Sequence, residues 1–447
     1  MEHAGGRVAR WLERLALARP EQRAWALYDW ANSAFWLTVI TVVFPKYYAL
    51  LTRGVLGKED AAFRYAMATS AALAVVAVVA PLLGTYADLH GLRKRFLGIF
   101  AAVGIAATAG LFFVLPGDWL LALFLFGIAN FGVAGSVVFY DALLPHVARS
   151  DETDRLSTTG FALGYLGSGL LLLANLAWIL RPEWFGLPSG DELTPAGATL
   201  PTRLAFLSVA LWWGVFTLPL LVRVGEPPAA GVGLADLHRS ALDLTLARLR
   251  QTLRELGHYR QAVRMLIAFL IFNDGIVTLI RMAVLYSDSR GLEQSVVMGS
   301  ILLLQFVGVP FALLFGHLGG RFGPKRMVLG GLTVYSLICV LAFTMSANWH
   351  FVGLAVLVGT VQGGTQGLAR SLFASMIPRE KSGEFFAFFG VGEKFAGIFG
   401  PLLFGLTIRL FGDVQPAVLT LIAFFVVGGV LLLRVDVAEG RRQALVG

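Results

Sequence analysis

Ionisable and amide side chains are scarce in this sequence, and those set inside its long apolar runs are the ones able to do chemistry. Asp29 with Asn32, Asn130, Asp141 and Tyr165 stand in the first half; Asn273, Asp274, Arg281, Gln362, Gln366, Arg370, Glu393 and Lys394 stand in the second. Charge at membrane depth is costly, so such groups line a watered cavity, pair with one another or mark a transport path. Gln362, Gln366 and Arg370 recur every four residues, which places two amides and a cation on one helix face. A guanidinium forks onto a carboxylate, while carboxylates and amide oxygens take an ammonium, so the set suits a zwitterion such as an amino acid. Asp274 and the Glu393–Lys394 pair lie about ten residues into their runs, ~15 Å along a helix and near its middle. They form the core of the expected site, with Arg281 two turns outward from Asp274. Asp29, Asn32, Asn130 and Tyr165 complete a two-sided pocket. Asp29, Asp274 and Glu393 are the expected proton-coupling groups, because a dry cavity favours the neutral carboxyl. Asp29 and Asp141 stand near one end of their runs, so pairing with cytoplasmic arginines is an equal alternative for them. Glu393 and Lys394 point ~100° apart on a helix, so Lys394 is expected to pair with Asp274 or Asp29 across the cavity. For Gln362 and Gln366 the alternative is interhelical hydrogen bonding, helped by Gly363, Gly364 and Gly367.

The elements that must position these groups follow from composition. Of 447 residues 57% are hydrophobic and 14% charged, against about 25% charged in a soluble chain. A soluble globular protein is excluded, as are disorder, collagen and coiled coil. The run starting near Ala24 extends to Leu50, too long for a cleaved signal. A crossing helix needs about 20 apolar residues, and twelve runs qualify: 24–50, 64–88, 95–115, 118–144, 156–180, 203–223, 262–286, 294–317, 327–346, 349–376, 383–410 and 414–434. An all-α, twelve-helix membrane protein is expected. Basic residues favour the cytoplasm; the N-terminal arginines, Arg93 to Arg95, Arg149, Arg155, the cluster from Arg239 to Arg264, Lys325, Arg326, Arg379, Lys381, Arg441 and Arg442 share one side, so both termini are expected inside. The longest interruption divides the chain into a segment 1–23, a six-helix half 24–224, a linker 225–259, a second half 260–434 and a tail 435–447. Leu242, Leu246, Leu249, Leu253 and Leu256 with interleaved arginines make the linker an amphipathic helix on the membrane surface. The same reading holds for 8–18.

The halves are copies. Gly84-Thr-Tyr-Ala-Asp88-Leu-His-Gly91-Leu-Arg93-Lys94 follows the second run, and Gly316-His-Leu-Gly-Gly320-Arg-Phe-Gly323-Pro-Lys325-Arg326 follows the eighth, 232 positions on. Pro145 and Pro378 repeat a further pattern at an offset of 233. Paired six-helix halves are a transporter architecture with the substrate between them. In the loop, Gly84 and Gly91 allow close approach and a tight turn, and Arg93 and Lys94 anchor at the anionic leaflet. Asp88 is expected to accept from the N-terminus of a helix in the other half, a latch that must break when the cytoplasmic side opens; simple turn capping is the alternative. Gly320 replaces the aspartate in the second copy, so one latch of this kind is expected.

This doubled loop resembles the signature of the major facilitator superfamily over the whole chain. A narrower set, Tyr28-Asp-Trp-Ala-Asn-Ser-Ala-Phe35, Leu144-Pro145 with Gly160-Phe-Ala-Leu-Gly-Tyr-Leu-Gly167, Asn273-Asp-Gly275, Gly363-Gly-Thr-Gln366 with Arg370-Ser371, and Glu384-Phe-Phe386 with Glu393-Lys394-Phe395, resembles the vacuole-effluxer-like family. That resemblance implies the facilitator fold and export of amino acids; Gly367, Ala369 and Gly320 depart from its pattern. Alternating access follows, with the first helix of each triplet facing the cavity and spans three, six, nine and twelve as lipid-facing supports. A phosphate loop, a serine elbow and a zinc-helix motif are all missing from the sequence, so neither a pump nor an enzyme is expected. The seven histidines form no ligand cluster, Cys339 is the single cysteine, and no metal or other cofactor is implied. The expected partners are an amino-acid-like solute and the lipid bilayer, with no nucleic acid, in a monomer in a bacterial plasma (inner) membrane. A broad-specificity exporter of amphipathic compounds and a non-transporting sensor or scaffold are the alternatives, the former kept open by the aromatic residues of spans one and eleven.

Overall fold

The computed structural model describes residues 9–190, 193–230, 240–255, 257–395 and 399–446, less the side chains of a few residues within helices, Glu393 and Lys394 among them. Helices dominate, and there is no strand among the described residues. Eleven are long and apolar enough to cross a bilayer. In chain order spans one to six are Pro20–Thr52, Glu59–His90, Arg93–Phe113, Trp119–Val147, Thr153–Leu180 and Pro195–Arg223. Spans seven to ten are Arg260–Ser289, Gln294–Phe322, Pro324–Phe343 and Asn348–Ala374, and span twelve is Gln415–Leu433. The eleventh run is described as two shorter helices, Ser382–Phe395 and Phe399–Phe411. Large apolar side chains such as Val78, Leu180, Leu218 and Leu406 are exposed around the outside, as they are in a bundle whose solvent is lipid.

Within each half the spans pack on one another; between halves, span five lies along span eight and span two along span eleven. The repeat seen in the sequence is a repeat in space. Gly91 (φ 64°) and Gly323 (φ 89°) turn the chain after spans two and eight with a backbone that costs a residue bearing Cβ about 1–2 kcal/mol. Lys94 Nζ then donates to the carbonyl of Val224 at the end of span six (2.9 Å), and Lys325 Nζ to those of Leu433 and Val435 at the end of span twelve (2.8 Å each). Each lysine satisfies carbonyls that a helix end leaves without partners.

Three local features differ from the expectation. Span one contains a π-helical stretch, Phe35–Val43, just before Pro45. Proline has no N–H to return to the carbonyl four residues back; within the stretch Thr41 Oγ1 donates to the Trp36 carbonyl (2.8 Å). Among the described residues of the N-terminal segment before span one, 9–14 are helical. Ala16 follows at φ 55°, and Ala16 and Leu17 are buried, with the Leu15 carbonyl accepting from Thr159 of span five. The linker helix, Ala241–Glu255, packs on span two. Its Leu244, Thr245 and Thr252 are buried, so its inner face meets protein as well as any membrane surface.

Candidate functional site

A cavity of about 490 Å³ lies between the halves, within the size range of small-molecule sites, roughly 300–1,000 Å³. Its wall runs along span one from Asp29 to Thr41, along span seven from Phe269 to Tyr286, and along span ten from Phe351 to Arg370. These stretches lead from the side of the Gly84–Lys94 loop toward the opposite face. Asn130, Val137 and Asp141 of span four and Phe161, Tyr165 and Ser168 of span five complete the first-half wall. Spans nine and twelve, expected to face lipid alone, also reach the wall through Ile338, Val418 and Leu421.

Arg370 closes the floor. Its Nη1 donates to Asp141 Oδ1 (3.0 Å), its Nη2 to Asp29 Oδ2 (3.2 Å) and the Ser157 carbonyl (2.9 Å), and its Nε to Ser157 Oγ (2.9 Å). Tyr140 Oη donates to the same Asp29 oxygen (2.8 Å), and Trp25 Nε1 to the Tyr140 carbonyl (3.0 Å). The guanidinium lies over the rings of Phe161 (4.6 Å), Trp25 (5.0 Å) and Tyr140 (5.4 Å). A residue of the second half is thus bound by three spans of the first. Buried to 4% exposure, it is held by four hydrogen bonds, as a buried charge requires.

The cytoplasm-type loop forms a second closure on the same side. Asp88 Oδ1 accepts from Gly383 N (3.0 Å) and from Arg93 Nε (2.5 Å), and Oδ2 accepts from Glu384 N (2.9 Å). This carboxylate meets the first N–H groups of Ser382–Phe395, where the helix dipole favours an anion. A Cβ on Gly84 would come within 2.5 Å of the Gly383 carbonyl oxygen, so only glycine permits the crossing. Ser371 Oγ donates to Asp154 (2.5 Å) and Ser157 Oγ to the Gly367 carbonyl (2.7 Å), tying span ten to span five. Thr252 Oγ1 of the linker helix donates to Glu384 Oε2 (3.0 Å), and Lys381 pairs with Glu255 (2.7 Å). That bond holds the Glu255 carboxyl below its usual pKa.

Of the residues expected to bind solute, Asp29, Asn32, Asn130, Tyr165, Arg281, Gln362, Gln366 and Arg370 line the cavity. Two do not. Asp274 takes Gly400 N on both carboxylate oxygens (3.1 Å each) and Thr278 Oγ1 (3.3 Å), and so is tied to span eleven. Its neighbour Asn273 accepts from Gln366 Nε2 (3.2 Å). Both are buried against neighbouring helices. Asp29, expected to be shared between coupling and pairing, is paired with a cation of span ten rather than of a cytoplasmic loop. The Glu393 and Lys394 side chains, and the pairing expected of Lys394, lie outside the described residues. The residues that complete the floor, Trp25, Tyr140, Ser157 and Phe161, are aromatic or hydroxylic and carry no charge to mark them in an apolar run. Only the unmatched carboxylates of spans one and four signalled that a cation had to arrive from elsewhere.

Comparison with known proteins decides the family. The model of the family described as "Vacuole effluxer Atg22 like" matches residues 18–445. The chain belongs to that family. An uncharacterized MFS-type transporter, YxiO of Bacillus subtilis (strain 168), is 36% identical over 415 residues, covering 92% of this chain and 94% of the relative. Autophagy-related protein 22-1 of Phaeosphaeria nodorum (strain SN15 / ATCC MYA-4574 / FGSC 10173) is 26% identical, covering 85% and 77%. Among solved structures, the major facilitator transporter FucP in its outward conformation superposes with a TM-score of 0.66 at 12% identity over 93% of this chain and 98% of that one. The human organic anion transporter MFSD10 (TETRAN) gives 0.65 at 16% over 93% and 99%. The chain is therefore a major facilitator transporter of the Atg22-like family, a multi-pass membrane protein with the facilitator fold and not an enzyme.

Proposed function

We propose that this transporter exports small polar solutes, amino acids first among them, across a bacterial plasma membrane by alternating access, acting as a monomer with both termini in the cytoplasm. The observation that carries the reading is where the strong bridges lie: Arg370, Ser371 and Asp88 each join the halves on the side of the loop motif, against a weak Lys46–Met298 contact (3.7 Å) near the opposite face, toward which the cavity wall runs on. With the basic loops inside, this is an outward-facing state. Carboxylates, amides and guanidinium groups from both halves suit a zwitterion. Proton coupling is assigned to Asp29, which shares its oxygen between Arg370 and Tyr140 at the cavity floor. Protonation there would remove one of the guanidinium's acceptors and loosen the closure. Counterflow of each labelled amino acid into reconstituted vesicles preloaded with the same species tests the reading without assuming direction or ion. Exchange abolished by Arg370→Ala supports it; a folded protein that exchanges none overturns the amino-acid assignment.

A second reading has its own observation. Trp36, Leu37, Ile40, Met282, Phe351 and Leu354 make much of the wall apolar, which favours an amphipathic organic solute. Exchange of such compounds without any of amino acids would select it.

A further inference from the structure

Two described cations line the cavity, and they are in opposite situations. Arg370 directs Nε, Nη1 and Nη2 to Ser157, Asp141 and Asp29 and covers its faces with three aromatic rings. No edge remains to fork onto a solute carboxylate. Arg281 of span seven is exposed to the cavity, and among the described residues it forms no hydrogen bond and no ion pair. Its electrostatic neighbours are Tyr65 and Asp274, and both Asp274 oxygens are engaged by Gly400 N. A guanidinium with five donors and no acceptor among the described residues, inside a membrane-spanning segment, is expensive and is kept where it serves a path or a ligand.

Two further atoms on this wall lack partners: Tyr165 Oη and Gln362 Oε1 are buried and make no hydrogen bond. Tyr165 is held rigidly, its ring lying against Gly308 of span eight and Gly363 of span ten, where a Cβ on either glycine would overlap it. The cavity thus offers an unengaged cation, a hydroxyl and an amide oxygen, which call for an anion and a donor on one small molecule. Resting on the transport reading above, we infer that the anionic group of the solute, a carboxylate, docks on Arg281, and that Arg370 is the clamp between the halves and not the substrate's counter-ion.

The test uses purified full-length protein and reads thermal midpoint against ligand concentration, so it does not depend on transport. The probes are the twenty amino acids and, for each one that stabilises, the amine made by removing its carboxylate. The wild type is expected to respond to the acid-bearing form and not to the amine. Arg281→Gln should weaken apparent affinity about 10- to 100-fold, the effect of one lost charge-assisted fork; Arg281→Lys, which keeps the charge and guards against a folding defect, should weaken it less. Arg370→Lys should lower the ligand-free midpoint yet leave affinity within about threefold. Unchanged affinity in Arg281→Gln, equal response to the amine, or no response to any carboxylate overturns the inference. Binding that follows this pattern without counterflow in vesicles would sink the transport reading and leave the Arg281 site standing.

Discussion

At the scale of single residues, one guanidinium links two carboxylates of one half to the other half, and its geometry makes a sharper demand than its charge. Removing one partner from a buried ion pair costs about 3–5 kcal/mol because the other is left uncompensated. Arg370→Ala should therefore destabilise the protein by roughly that amount, read as a fall in thermal midpoint, and Asp29→Asn by less, since Asp141 and Ser157 still hold the guanidinium. Arg370→Lys keeps the charge but cannot reach Asp29, Asp141 and Ser157 together; counterflow should fall at least about tenfold in folded protein. A lysine variant with full activity would show that the fork is unimportant. Much of this site was legible in the sequence, because ionisable and amide residues in apolar runs are conspicuous and the repeat told which spans face each other. Asp274 lies off the cavity wall for a physical reason: depth along a helix is readable from position, whereas the face it points to depends on the neighbour. Its neighbour here is the N–H of Gly400, a contact set by how span eleven packs on span seven, which hydropathy does not reveal.

At the scale of elements, the loop after span two and the start of span eleven act as one device. Asp88 holds two N–H groups of the helix Ser382–Phe395, and Arg93 holds both Asp88 and the Glu380 carbonyl (2.8 Å). The sequence anticipated this pairing because a carboxylate at a repeat-marked helix end, with its copy replaced by Gly320, has few possible roles. It anticipated the linker helix but not its contact, in which Thr252 and Glu255 brace the same helix start; amphipathic spacing gives a face without naming what covers it. Asp88→Asn should shift the resting population toward the opposite access. With Cys339 replaced, a cysteine installed at Ser157 would then be alkylated faster from the loop-motif side than in the parent; equal rates would argue that Asp88 only caps a turn. The Glu255 bond has a pH sign. Its carboxyl is held below the usual value by Lys381 first and Gln251 next, so the tether is present above the ordinary glutamate range and is lost as pH falls through the lowered value. Hydrogen exchange in Ala241–Glu255 should stay constant from neutral pH to about 5, after correction for intrinsic rates. Deprotection near pH 6 would indicate another group.

At the scale of the whole molecule, contacts within a half and contacts between halves carry different obligations. Rocking leaves the first kind intact in every state and must break the second kind on one side whenever the cavity opens there. Ser371 and Asp154 make a contact of the second kind, span ten to span five (2.5 Å). Ser208 and Asn175 make one of the first kind, span six to span five (2.8 Å). The single native cysteine, Cys339, is buried in span nine and can be replaced to give a clean background. In that background a Ser371→Cys, Asp154→Cys pair, oxidised to a disulfide, should hold the loop-motif side shut and stop counterflow, with activity returning on reduction. The Ser208→Cys, Asn175→Cys pair, oxidised equally, should leave counterflow within about twofold of its reduced form. The comparison is internal, because each pair differs from its own control only by the bond. Loss of activity in both would point to a general need for flexibility within a half; loss in neither would mean that solute passes without separating spans five and ten, which alternating access between these halves does not permit.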